Sequence, residues 1–229
     1  MSSADTTEAP AGELERDDAR EAVVERFRSE LGDAVVGAHV RPGHAVWVRV
    51  DRGAWREAAR FARDGLHCAF FDFLSAIDWL PSPFGRDMDS QEDRIAAGDT
   101  DGSPAEPTAI VAGAAGGDTR FQLLARVYAP TTGTAVILKA DVPDDDLSID
   151  SWVPVYAGAN WHERETWEMF GIDFVGHPGL THIYLPGQFE GHPLRKDFPL
   201  LARRVKPWPG IVDVEPMPGG AGEGEGGEE

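Results

Sequence analysis

The stretch Phe121-Gln122-Leu123-Leu124-Ala125-Arg126-Val127-Tyr128-Ala129 runs through Pro130-Thr131-Thr132-Gly133 into Thr134-Ala135-Val136-Ile137-Leu138-Lys139-Ala140-Asp141-Val142. Phe121, Leu123, Ala125 and Val127 alternate with Gln122, Leu124, Arg126 and Tyr128; Val136, Leu138 and Ala140 alternate on the second run. A period of two is that of a strand, whose successive side chains point to opposite faces. The Pro-Thr-Thr-Gly joint supplies a turn. The stretch therefore predicts a β-hairpin over 121–129 and 134–142. Both faces carry apolar residues, so the sheet is expected to be covered on both sides.

Upstream, Ala22, Val23, Phe27 and Leu31 recur at helical spacing, which predicts a helix over Asp18 to Leu31 stopped by Gly32. Ala34–Val40 and Ala45–Val50 read as strands around Arg41-Pro42-Gly43, with Val46, Val48 and Val50 on one face. Trp55, Ala58, Ala59 and Ala62 mark a second helix closed by Gly65. The aromatic-rich run Cys68 to Leu80 predicts a central strand bounded by Pro81. Helices and strands mix in an α/β (α+β) pattern over residues 18–158.

Residues 81–118 break the pattern with Pro81, Pro83, Pro104, Pro107 and many Gly, Asp and Ala residues. They are expected to be an insertion, disordered over most of its length. Residues 1–17 read as a disordered acidic tail and 210–229 as a disordered Gly/Glu tail. The formal charge of −19 is concentrated in these segments. Without residues 1–18, 81–118 and 210–229, the chain holds 20 acids and 18 bases. No basic stripe is visible, which argues against nucleic-acid binding.

Downstream, Ser151 is placed to cap a short helix through Tyr156. Asn160 with Glu163 forms a capping-box pattern for a helix over Trp161–Phe170. Gly171 sits where a left-handed terminator is needed. Pro178, Pro186, Pro193, Pro199, Pro207 and Pro209 then forbid a long helix, so residues 159–209 read as a helix followed by an extended arm.

Familiar catalytic patterns fail here. His162-Glu163 lacks the second His of a zinc-protease helix, because position 166 is Thr. His177, His182 and His192 could ligate a metal, but polar contacts within an arm explain them more simply. There is no phosphate-binding Gly-x-x-x-x-Gly-Lys loop and no nucleophile elbow. Cys68 is the single cysteine and cannot alone hold an iron–sulfur cluster. No secretory signal is visible, and no run approaches the roughly 18 to 20 apolar residues needed to span a bilayer. The carboxylates near residue 163 lie among basic residues, so no raised carboxylate pKa is expected. Arg164 and Glu168 share a helix face at i,i+4 spacing, where an ion pair can form.

Two dense blocks remain: Glu163-Arg164-Glu165-Thr166-Trp167-Glu168-Met169-Phe170-Gly171 and Gly191-His192-Pro193-Leu194-Arg195-Lys196-Asp197-Phe198-Pro199-Leu200. Between them stands His177-Pro178. Charge, rings, Gly and Pro are interleaved without one clean apolar face, as at a protein interface. The blocks resemble the signature of the 30-kDa subunit family of respiratory complex I, the C-type subunit of NADH-quinone oxidoreductase. Glu168 stands where that family usually has Asp, and His182 where Arg is usual.

The resemblance implies a mixed, mainly antiparallel sheet flanked by helices, with the extended C-terminal arm wrapping the 49-kDa (D-type) subunit beside the terminal-cluster (B-type) subunit. It implies a peripheral subunit on the cytoplasmic side of a bacterial membrane, with no cofactor or catalytic residue of its own. FMN, iron–sulfur clusters and quinone would belong to partner subunits. The interface would comprise Glu163, Arg164, Glu165, Trp167, Glu168, Phe170, Gly171, His177, Pro178, Gly191, His192, Pro193, Leu194, Arg195, Lys196, Asp197 and Phe198. A related membrane-bound hydrogenase or F420-linked dehydrogenase would use a similar subunit. A free-standing adaptor is the reading from another class.

Overall fold

Val46, Val48 and Val50 alternate with Trp47 and Arg49, and that alternation puts the three valines in the core. In the computed structural model, which describes residues 17–80 and 112–198, these residues form β2 (Val46–Val50). Around it lie β1 (Val35–His39), β3 (Phe70–Asp78), β4 (Phe121–Ala129) and β5 (Thr134–Val142). The sheet order is β1-β2-β5-β4-β3. Within it only the β2–β5 pair is parallel, so the sheet is mixed and mainly antiparallel, as expected. The hairpin has the predicted bounds, and Gly133 takes the positive φ that closes its turn.

In-register rows show where the core sits. Val48, Leu138, Ala125 and Leu74 lie side by side across four strands, as do Val50, Ala140, Leu123 and Ala76. All belong to one apolar cluster with Phe27, Trp55, Ala58, Ala59 and Ala62 from the helices. Fully burying a side chain the size of Leu138 stabilises by about 1.5–3 kcal/mol. Helix α1 (Asp18–Leu31) is capped by Asp17, whose side chain accepts from the Arg20 amide. It buries Val24 and Phe27 and packs Val23 and Leu31 against the core, so of the expected stripe only Ala22 faces out. Helix α2 (Trp55–Arg60) passes into a π turn over Phe61–Gly65, where a Cβ on Gly65 would collide with the Phe61 ring.

Two expectations need correction here. Among the described strands, β3 lies at an edge of the sheet rather than at its centre. Helix α3 (Ala159–Phe170) packs against it: His162 sits edge-on to Phe71 and reaches the Leu74 backbone. The segment before Tyr156 is a single turn rather than a helix, with Val155 and Tyr156 amides both bonding to Trp152 O.

The sheet's second face is polar at one end. Residues 81–111 of the expected insertion lie outside the described residues, as do 1–16 and 199–229. The insertion's last part, 112–118, is described and docks on that polar face. Lys139 Nζ donates to Ala114 O (3.0 Å) and Gly116 O (2.8 Å), Arg49 Nε to Ala115 O, and Gln122 Nε2 to Gly116 O. Three consecutive carbonyls are thus held by side chains from β5, β2 and β4.

After β5, a two-stranded parallel sheet joins β6 (Ser148–Asp150) to β7 (Asp173–Val175). Periodicity gives no sign of it, since three-residue strands are too short to show a period. The described residues belong to one compact unit that runs to Phe198.

Candidate functional site: helix α3 and the arm that returns to it

Glu163 points inward from the first turns of α3 and is fully buried. Its carboxylate accepts from Ser151 Oγ (2.6 Å) and the Trp152 amide (2.5 Å). It therefore does not cap its own helix, whose N-cap is Gly158 without a side-chain bond. The capping box expected from Asn160 and Glu163 is absent because Glu163 ties α3 to the 151–152 turn. Burial, opposed by those two bonds, pushes the Glu163 carboxyl up to about 7. This corrects the expectation from local charge, because burial of a single position is not a property of its neighbours in sequence.

Glu168, five residues on, is also buried but shifts the other way. It accepts from the amides of Ile183 (3.2 Å), Tyr184 (3.0 Å) and Leu185 (2.7 Å), and its Oε1 lies 2.9 Å from His182 Nδ1. Burial raises its pKa, but the amides and His182 outweigh this and leave it below the usual carboxylate range. The expected Arg164–Glu168 pair does not form. Arg164 instead donates to Thr181 O and His182 O on the arm. Two glutamates of one helix thus differ by the number of donors that surround them.

Four α3 carbonyls, from Trp167 to Phe170, are satisfied in succession. Gly171 N bonds Trp167 O, His192 Nδ1 lies 2.9 Å from Glu168 O, Leu194 N bonds Met169 O, and Arg195 Nε bonds Phe170 O at 2.6 Å. A helix end leaves four such carbonyls without intrahelical partners. The Gly-His-Pro-Leu-Arg block is therefore a helix cap delivered from more than twenty residues away. Gly171 has the expected left-handed φ of 74°. A Cβ there would collide with Arg195 and would sit 2.5 Å from His192 Nε2.

Beyond the cap, Arg120 donates through Nε and Nη2 to Asp78, and its Nη2 also lies 2.8 Å from Asp197. The Lys196 amide bonds Asp78 as well. Burial works against the Asp78 charge, but these bonds and that of the Leu80 amide hold its carboxyl below the usual range. Sequence reasoning missed Asp78 and Arg120, which are distant from both blocks. Asp197, on the second block, is the arm's own link to this pair through Arg120.

Four of the expected interface residues are turned into the chain itself. Glu163, Glu168 and Phe170 are buried inside the chain, and Gly171 is enclosed by His192 and Arg195. Arg164, Glu165, Trp167, His177, His192, Pro193, Arg195 and Phe198 are half-buried. Pro178, Gly191, Leu194, Lys196 and Asp197 are exposed. Large apolar side chains face outward at Trp161 (68%), Tyr184 (63%) and Leu194 (50%). The three histidines go to different acceptor atoms: His177 to Asn160 O, His182 to the Glu168 carboxylate, and His192 to Glu168 O. Among the described residues no three His, Cys, Asp or Glu side chains converge as a metal site, and no helix is long and apolar enough to cross a membrane.

The family described as respiratory-chain NADH dehydrogenase, 30 Kd subunit, matches residues 48–204, which hold most of the sheet, α3 and the returning arm. The chain belongs to this family. A relative, the C-type subunit of NADH-quinone oxidoreductase from Roseiflexus sp. (strain RS-1), is 34% identical over 186 residues, covering 80% of this chain and 86% of the relative. The C/D-type subunit of NADH-quinone oxidoreductase from Erwinia tasmaniensis is 51% identical over 73 residues, which are 32% of this chain and 12% of that protein. The fold resembles a chain in the structure of the membrane-bound sulfane sulfur reductase, an archaeal respiratory membrane complex. That likeness has a TM-score of 0.54 and 18% identity, covering 81% of this chain and 88% of the other. Members of the 30-kDa family are thus subunits of an enzyme complex of the respiratory chain.

Proposed function

We propose that this chain is a non-catalytic peripheral-arm subunit of proton-translocating NADH-quinone oxidoreductase. It seats the 49-kDa subunit of the quinone-reducing module, beside the terminal-cluster subunit, on the cytoplasmic side of the membrane. FMN, iron–sulfur clusters and quinone belong to its partners. The observation that carries this reading is the C/D-type relative, whose name joins a C-type and a D-type subunit in one protein. Supporting it are the outward-facing Trp161, Tyr184 and Leu194 on a rigidly capped scaffold. Aromatic anchors on a preformed surface are the residues that dominate binding energy at interfaces.

Truncation at Gly171 would remove β7 and the core residue Phe174, so surface substitutions make the cleaner test. Trp161→Glu is combined with Tyr184→Glu in the tagged full chain, purified from gently solubilised membranes. Wild type is expected to bring along flavin- and iron–sulfur-containing subunits with the 49-kDa subunit, and the variant to lose them while remaining folded. Recovery of hydrogenase subunits with wild type would move the chain to a sister complex. Recovery of the chain alone would refute the subunit reading.

A further inference from the structure

Residues 191–198 form no ladder with either sheet. Hydrogen bonds and ion pairs fasten them at two places: the α3 carbonyls, and the triplet of Asp78, Arg120 and Asp197. The triplet joins three remote pieces of chain. Asp78 ends β3, Arg120 immediately precedes β4, and Asp197 lies on the arm. The Asp78 side chain is 1% exposed and that of Arg120 16%, whereas Asp197 is 48% exposed. Arg120 meets Asp78 with the planar fork that suits a carboxylate, Nε at 3.0 Å and Nη2 at 2.8 Å. Asp78 Oδ2 also takes the Lys196 amide at 2.8 Å. Arg120 and Arg195 both lie over the Phe121 ring, at 4.6 and 5.3 Å from its centroid. A nearly buried carboxylate thus faces the arm's backbone, and a nearly buried guanidinium faces the arm's carboxylate.

We infer that Arg120 is a positioning residue: through Asp78 and Asp197 it latches the arm to the sheet and presents the arm's outer face ready-formed for docking. The docking half of this inference rests on the subunit reading above. A latched arm has little freedom left to lose when a partner arrives, so association does not bear the cost of ordering it. Arg120 itself faces inward and need not touch the partner.

The test uses Arg120→Ala and Asp197→Asn in the full chain. Hydrogen exchange is followed in peptides from 191–198 and, as a control, from the 121–142 hairpin. Arg120→Ala is expected to speed exchange in 191–198 by about tenfold or more, the effect of losing charge-assisted bonds. The hairpin should keep its protection. Asp197→Asn, which leaves the Asp78–Arg120 fork intact, should loosen the same segment less, and it keeps the inference testable if Arg120→Ala misfolds. Recovery of Arg120→Ala with the oxidoreductase from membranes should drop several-fold against wild type. Unchanged exchange in 191–198 in a folded Arg120→Ala chain, or in Asp197→Asn if that chain misfolds, would overturn the latch. A loosened arm with wild-type recovery would overturn its role in docking. Failure of wild type itself to associate would instead overturn the subunit reading, and exchange would still decide the latch.

Discussion

Glu168 and His182 meet side chain to side chain, with 2.9 Å between Oε1 and Nδ1. They are also the two positions at which the chain departs from the pattern it otherwise resembles. A glutamate reaches one methylene farther than an aspartate, and an imidazole reaches less far than a guanidinium. The two departures therefore form one arrangement, in which the longer carboxylate meets the shorter base.

Exchanging only one of the pair should disturb it. Glu168→Asp withdraws the carboxylate from the amides of 183–185 and is expected to cost about 1–3 kcal/mol. The double variant Glu168→Asp with His182→Arg should recover part of that loss. Urea unfolding of both single variants and the double gives the coupling energy. Strict additivity would show that the contact contributes nothing of its own.

The buried Glu163 makes stability depend on pH. Its carboxyl is raised to about 7 from the usual 4.5, so between those values the folded chain holds a proton that the unfolded chain releases. Stability from this group is therefore fully present below about pH 4.5, falls as pH rises, and levels off above about 7. The full span is about 3 kcal/mol. Glu163→Gln keeps an acceptor for the Trp152 amide and cannot ionise. It should flatten this component and be more stable than wild type at pH 8. Equal differences between wild type and variant at pH 5 and pH 8 would rule this out.

Gly171 and Gly133 have nearly the same φ, 74° and 73°, but different surroundings. Nothing lies within 4 Å of a Cβ placed on Gly133, whereas one on Gly171 meets His192 and Arg195. Gly133→Ala should cost only the left-handed backbone term, about 1–2 kcal/mol. Gly171→Ala should cost more and release the arm from the helix end. Thermal unfolding of both variants checks the order. Equal losses would mean that the close approach carries no energy.

Lys139 is buried and donates to two carbonyls of the 112–118 segment. Lys139→Met fills similar space without donors and should cost about 1–3 kcal/mol. Its clearest mark would be faster exchange in 112–118 with the hairpin unchanged. Wild-type protection there would place the segment's anchor on Arg49 and Gln122 alone.

Strongly periodic elements were legible in the sequence. The hairpin, the Val46-Val48-Val50 face, α1 and the Gly171 terminator follow from local pattern, and they stand where that pattern puts them. The edge position of β3 was not legible, because a strand with a helix packed against it is as apolar as a central one. Nor was the β6–β7 pair, whose strands are too short for a period.

The two dense blocks mark the important region in sequence, and their residue types imply that it is rich in polar contacts. Only the tertiary structure decides where those contacts go. Glu163 turns to Ser151, Glu168 to the 183–185 amides, and Asp197 to Arg120. Much of what reads as interface chemistry is therefore used inside the chain, to cap α3 and fasten the arm. The physical reason is that a side chain's type sets what bonds it must make once buried, while the packing of distant segments sets which partner is near enough to make them.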